Sequence, residues 1–172
     1  MADLLEIMKE RYSVRDYDPR QVEPEKLARV LEAGRIAPTA KNIQPWRCRV
    51  LQSPEALEKI RGLTRCAFNA PLVLMFTVEE AEEWHNAFEP EVLSGETDAA
   101  IAGSHMMLEA AALGLGTCWV GYFPPTRVKE AFDLPQGERL AFLMPLGYPA
   151  QGAAPSDRHE KRKPLMELVQ FI

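Results

Sequence analysis

Five residues near the start, Arg11-Tyr12-Ser13-Val14-Arg15, put two guanidiniums and a hydroxyl within a few residues of one another. A guanidinium is a planar, permanently charged fork whose N–H groups match phosphate oxygens two at a time. The chemistry on offer is the holding of an anion. Taken alone, an Arg-x-Ser-x-Arg segment also fits a solvated charged loop, because charged residues are mostly exposed. A second basic run, Lys161-Arg162-Lys163-Pro164, lies near the other end of the chain. The formal net charge of −5 argues against a general nucleic-acid binder, which needs a basic face, so any anion is held locally.

Other chemistries find less support. Cys48, Cys66 and Cys118 have neither zinc-ligand nor Cys-x-x-Cys spacing, and they read as reduced core thiols. His85, His105 and His159 are equally scattered, so no metal site is expected. No apolar run approaches the roughly 18 residues that span a bilayer, and the stretch from Met1 to Glu6 lacks the features of a signal peptide. A cytoplasmic protein without membrane partners is expected. A length of 172 residues fits one domain.

The elements that must position these groups follow from periodicity and capping signals. Leu4, Leu5, Ile7 and Met8, behind a capping box at Asp3 and Glu6, predict a short helix that delivers Arg11. Val22-Glu23-Pro24-Glu25 opens a second helix, with Leu27, Val30 and Leu31 on one face and Gly34 at its end. Ala37 to Trp46, with two prolines, an Asn and small side chains, reads as a rigid loop against which a ligand can lie flat. Arg47 to Gln52 is a strand, and Ser53-Pro54-Glu55 starts a helix carrying Leu57, Ile60 and Leu63.

Pro71 to Thr77 is apolar without alternation, as in a central strand covered on both faces, and strand, helix, strand suggests a crossover unit. Glu79 to Glu89 reads as an acidic surface helix with Trp84 and Phe88 on one face, either packed or lining a substrate mouth. Thr97-Asp98 caps a long apolar helix from Ala99 to Leu113, suited to the middle of the fold or to a partner subunit. Gly114-Leu115-Gly116 ends it, a strand follows over Thr117 to Gly121, and Pro124-Pro125-Thr126 begins a short helix. Leu140 to Tyr148 is the last strand, with Pro145 pointing to an edge or a bulge. The tail ends in Leu165, Met166, Leu168, Val169, Phe171 and Ile172, apolar residues that need burial in this subunit or a second one.

The order and spacing of four motifs then carry a resemblance. The Arg/Ser cluster, the loop ending Asn42-Ile43-Gln44-Pro45-Trp46, the turn Gly114-Leu115-Gly116-Thr117-Cys118-Trp119-Val120-Gly121 and the tail Arg162-Lys163-Pro164-Leu165 together resemble the FMN-dependent nitroreductases over nearly the whole chain. The resemblance implies an α+β fold, a mixed central sheet flanked by helices, in a homodimer with intertwined C-terminal tails whose interface forms the flavin site. It implies that Arg11, Ser13 and Arg162, with Lys163 or Lys161 assisting, hold the FMN phosphate, that Tyr12 belongs to the cofactor-binding set, and that Arg15 lies by N1 and the C2 carbonyl. Pro38, Thr39 and Ala40 would flank the ring, Asn42 would fix its polar edge, and the amides of Val120 and Gly121 would face N5 and O4. Ala40 stands where a hydroxyl is frequent, and Cys66 falls near where some members place a basic residue.

The implied activity is hydride transfer from NAD(P)H to FMN, then by ping-pong turnover to a nitroaromatic, quinone or flavin. No Gly-x-Gly-x-x-Gly site for the nicotinamide is present, and no side chain is nominated as a catalytic acid or base, because the flavin does the hydride chemistry. The resemblance leaves open another flavoenzyme on this scaffold, such as a dehalogenase, a flavin-destroying enzyme or an oxidase. A flavin-binding module without turnover also remains open.

Overall fold

The computed structural model describes residues 3–172; Met1 and Ala2, part of the stretch read above for a targeting signal, lie outside it. Helix starts fall where side chains or prolines meet unpaired backbone amides. Asp3 accepts from the Leu5 N–H ahead of α1 (Leu4–Glu10), and Pro24 occupies the first position of α2 (Pro24–Arg35). Ser53 accepts from the Ala56 N–H at 3.2 Å and starts α3 (Pro54–Leu63), which follows β1 (Trp46–Leu51).

β2 (Leu72–Glu79) is the expected central strand. Its Leu72, Leu74, Phe76 and Val78 face one apolar cluster, while Val73 and Met75 face a second. The first cluster is closed by Val30 of α2 and by Ala99, Met106 and Ala110 of α4 (Gly95–Ala112). The second is closed by Leu57 and Ile60 of α3 and Val128 of α5 (Pro125–Ala131). Two helical layers thus sandwich one sheet, in the order β1-β2-β4-β3, with β3 at Gly116–Thr117 and β4 at Glu138–Gly147. No helix is long and apolar enough to cross a membrane among the described residues.

Several expectations are corrected. The sheet is antiparallel in all its ladders rather than mixed; the parallel contact is an isolated bridge between Ser13 and Thr117. β1, α3 and β2 form no parallel crossover, because a 3-10 turn at Arg65–Ala67 and two left-handed residues, Phe68 and Asn69, reverse the chain before Pro71. Gly34 is the penultimate residue of α2, at the end the sequence predicts, and a Cβ there would stand 2.0 Å from the Met106 Cε of α4, so it also marks a close helix approach.

The acidic stretch after β2 is no helix. Asn86 closes it, with its N–H donating to the Val92 carbonyl and its side-chain oxygen accepting from the Phe88 amide, a local bond that competes with helix formation. Trp84 is half-buried and Phe88 is 95% exposed, so they share no packed face. α4 begins at Gly95, one turn ahead of Asp98, and β3 is two residues long. β4 is an interior strand, yet Pro145 is tolerated: its carbonyl accepts from Cys118 N–H and Tyr17 Oη, so its missing N–H faces the side where β3 has already ended.

Among the polar residues buried in this frame, Glu138 carries an ion pair with a cation of β1. Glu138, whose side chain is 6% exposed, receives both Nη groups of Arg49 at 2.6 and 2.7 Å and the Thr77 hydroxyl. The Arg49 hydrogen bonds hold its carboxyl below the usual range, with the Thr77 bond assisting against desolvation. A carboxyl depressed in the folded state gives stability that is full above its unfolded pKa of about 4.3 and is lost as pH falls through the folded value. Arg49→Met, which strands the carboxylate, is expected to cost on the order of 3 kcal/mol at pH 7. Urea melts across pH should show its deficit shrinking as pH falls, first where the stranded, desolvated carboxyl protonates above its ordinary range and then where the parent's own carboxyl protonates below it; a deficit independent of pH would contradict this account.

Glycines give a second test. A Cβ on Gly116 would lie 2.4 Å from the Val14 Cγ2, whereas one on Gly62 of α3 would meet nothing within 4 Å. Gly116→Ala is expected to destabilise by about 1–3 kcal/mol through overpacking. Gly62→Ala should stabilise by roughly 0.5–1 kcal/mol through helix propensity. Paired denaturation curves with the same sign would be inconsistent with these packings.

Candidate active site

The Arg11-to-Arg15 segment leaves α1 and is laid along β3. The Val14 N–H donates to the Thr117 carbonyl at 2.9 Å, and Gly116 lets the Val14 side chain approach the strand's backbone. Val14 and Tyr17 are buried while Arg11, Tyr12 and Ser13 are half-buried and Arg15 is exposed, so two apolar anchors hold a segment whose polar side chains stay accessible. The chain after β4 then runs back along the same segment. The Asp18 N–H donates to the Tyr148 carbonyl, the Ala150 N–H donates to that of Asp16, and the Tyr12 hydroxyl donates to that of Ala153 at 3.2 Å.

These contacts bring the two basic stretches together across about 150 residues of sequence. Arg11, Tyr12, Ser13 and Arg15 form one wall of a cavity of about 610 Å3, and Ser156, Asp157, Arg158, His159 and Arg162 form the other. Four guanidiniums therefore face one carboxylate, a concentration of positive charge in an acidic chain. The Arg15 Nη1 donates to the Ser13 carbonyl at 3.1 Å, and the Arg162 Nη1 to the carbonyls of His159 and Lys161. Burial raises the Cys118 thiol above its ordinary range, against the opposing pull of Arg15 and a hydrogen bond from Ser13. It therefore stays protonated at neutral pH.

The remaining candidates lie elsewhere. Lys161 and Lys163 do not line this cavity. Pro38, Thr39, Ala40 and Asn42 sit on a separate loop that contains a 3-10 turn at Ala40–Asn42, with left-handed Lys41, Asn42 and Gln44. That loop is pinned to the start of α4, where buried Asp98 accepts the Ala40 N–H at 2.9 Å and the Ser94 hydroxyl at 2.8 Å. The Val120 N–H is given to the Leu143 carbonyl at 2.9 Å, whereas that of Gly121 has no hydrogen-bond partner among the described residues. Of these two amides, only Gly121's is open to a ligand.

Sequence reasoning missed Ser156, Asp157, Arg158 and His159. The available signal was the charged run from Asp157 to Lys163, but only its second half was singled out. It also missed Asp98 as the anchor of the Pro38–Asn42 loop, reading it as a helix cap; a carboxylate one turn inside a helix can instead reach across to a neighbouring segment.

The model of the family described as the nitroreductase family matches residues 8–68 and 62–148. A nitroreductase family protein of Clostridium difficile 630 has a crystal structure that superposes with a TM-score of 0.91, at 37% identity over 99% of this chain and 98% of that one. An NADH dehydrogenase of Thermus thermophilus is 30% identical over 182 aligned residues, covering 86% of this chain and 87% of its own length. An Exiguobacterium sibiricum structure solved in complex with FMN shares the fold, with a TM-score of 0.85 at 21% identity over 100% of this chain and 98% of the other. From the first helix to the end of β4 and by likeness over nearly its full length, this chain belongs to the nitroreductase family.

Proposed function

We propose that two copies of this chain form a cytoplasmic homodimeric flavoenzyme that binds FMN, accepts a hydride from NAD(P)H and passes electrons by ping-pong turnover to a nitroaromatic, quinone or flavin. The observation that carries this reading is the cavity where Arg11, Ser13 and Arg15 meet Arg158 and Arg162. Its donor set suits a phosphate dianion: forked cations and hydroxyls on two walls, with a single opposing carboxylate. When bound, FMN supplies reversible hydride acceptance, and the protein's part is to hold, orient and tune it. Arg11, Ser13 and Arg162 hold the phosphate, with Arg158 on the same wall as Arg162. Arg15 lies toward the pyrimidine edge, and the free Gly121 amide donates to the N5 and O4 side. Lys163 is left to a peripheral role.

The homodimer is supported by two features. Leu165, Met166, Leu168 and Phe171 are each 65% exposed or more around α6 (Leu165–Leu168), an apolar face that a second subunit can cover. The Pro38–Asn42 loop is pinned at Asp98, and Ser13 is bridged to Thr117 beyond the other end of α4. The intervening helix spans roughly 20 Å. A flavin ring beside Arg15 is therefore met by Pro38, Thr39, Ala40 and Asn42 of a second copy rather than of its own.

The deciding experiment is release and chromatography of the bound cofactor, followed by anaerobic reduction with NADH and NADPH and reoxidation by each acceptor class. Co-migration with FMN, bleaching by a nicotinamide and recovery by an acceptor are expected. A colourless chain that FMN cannot reconstitute would end the reading. Light scattering should give a dimer of the 19.4 kDa chain, and removal of residues 165–172 should yield monomer with FMN lost; a monomer that keeps FMN would contradict the composite site. Arg11→Ala should weaken FMN binding by roughly 1.5–3 kcal/mol while leaving the midpoint potential of the saturated protein unchanged. Arg15→Ala should lower that potential at full occupancy, because only a group that interacts differently with the two oxidation states can shift their balance. Equal potential shifts in the two variants would mean that Arg15 is misplaced.

A further inference from the structure

A second cavity, of about 410 Å3, opens beside the proposed flavin edge and is lined by Leu63, Thr64, Arg65, Tyr122, Phe123 and the backbone of Gly121. Gly121 belongs to both places: its free amide is the one assigned to the flavin, and its chain forms the cavity wall. The walls are held rather than floppy. Thr64 Oγ1 accepts from the Cys66 N–H at 3.1 Å and donates to the Tyr122 carbonyl at 2.9 Å, tying the 3-10 turn that carries Arg65 to the strand exit that carries Tyr122. The Phe68 N–H closes that turn on the Arg65 carbonyl at 3.2 Å.

Two features of this cavity have no role in the fold. The Tyr122 ring is 74% exposed with no packing partner among the aromatic contacts, although its backbone is fixed. The Arg65 guanidinium is exposed and has neither an ion pair nor a hydrogen bond among the described residues, whereas Arg47, Arg49 and Arg139, along the sheet, are each paired with a carboxylate. An aromatic wall next to an unpaired cation recognises a planar ring that carries a negative charge: the ring stacks, and the fork takes the anion.

We propose that this cavity is the acceptor subsite, and that Arg65 makes the enzyme prefer aromatic acceptors bearing an anionic substituent over neutral ones of the same shape. The inference rests on the flavoenzyme reading above. The preference is the size of an exposed ion pair, about fivefold at low salt. It should fade as salt screens the pair.

The test compares 4-nitrobenzoate with 4-nitrobenzamide, nearly isosteric and differing in charge, on the FMN-loaded dimer. In each case the nitro group takes two electrons and two protons to become nitroso and water, with NAD(P)H and one solvent proton supplying them. The parent should show a KM for 4-nitrobenzoate about fivefold below that for 4-nitrobenzamide at low ionic strength, with similar kcat. Arg65→Gln should equalise the two, Arg65→Lys should restore part of the difference, and neither should alter FMN content or reduction by NAD(P)H. Isothermal titration with benzoate and benzamide reads the same preference without turnover.

Equal KM values in the parent, discrimination that survives in Arg65→Gln, or a preference insensitive to salt would overturn the proposal. An Arg65→Gln defect confined to the KM for NADPH would move the anion to the dinucleotide and overturn it as well. A protein that takes up no FMN, or oxidises NAD(P)H with neither acceptor, would overturn the flavoenzyme reading and this inference with it.

Discussion

The close approach of α4 to the sheet on one side and to α2 on the other is the constraint on which the rest of the structure depends. It is possible because the helix carries Ala99, Ala102, Gly103 and Ala110 where neighbours press in; a Cβ on Gly103 would stand 2.6 Å from the Phe142 ring. Interiors pack to the density of organic crystals, so such contacts fix position within tenths of an ångström. The two candidate regions are positioned from the two ends of this helix. Its first turn holds the Pro38–Asn42 loop through Asp98, and its exit through Gly114, a left-handed residue, leads into the strand that carries Val14.

The polar chemistry is divided between two regimes. Arg49, Thr77 and Glu138 are satisfied by one another on the sheet, so their charges do structural duty and present nothing to a ligand. The guanidiniums of the N-terminal segment and the tail instead converge on a cavity with one carboxylate among them. Like charges brought together are unfavourable unless an anion joins them. The fold places them there through backbone pairing of residues 16–18 with 148–150 and the Tyr12 hydroxyl on the Ala153 carbonyl, while Arg15 and Arg162 bond only nearby carbonyls.

Much of the architecture was legible in the sequence, because caps and periodicity are local. Ser53, Pro24 and Pro125 mark helix starts within a residue, and the unalternating run after Pro71 is the strand buried on both faces. What was illegible depends on partners far along the chain. Gly34 reads as a helix end, but nothing local shows that Met106 presses against it. Asp98 looks like a cap until the Ala40 amide arrives. The direction of β1 against β2 is decided by the reversal at Phe68 and Asn69, bulky and polar residues in a left-handed conformation that no local pattern announces. Of the site, the residue types at positions 11, 13, 15 and 162 were readable. Their meeting, the share taken by Arg158, and the prior commitment of the Val120 amide to Leu143 were not.

The meeting of the two chain ends also has a meaning in time. Synthesis supplies Arg11 and Ser13 well over a hundred residues before Arg158 and Arg162. Until then the early guanidiniums lack the opposite wall of their cavity, and β2 lacks β4, the neighbour that makes it an interior strand. A nascent chain that has not reached Arg158 and Arg162 therefore lacks the second wall, and the cavity is complete only once β4 and the segment beyond it have been made. Loss of the segment that carries Arg158 and Arg162 would open the cavity while leaving the buried clusters intact.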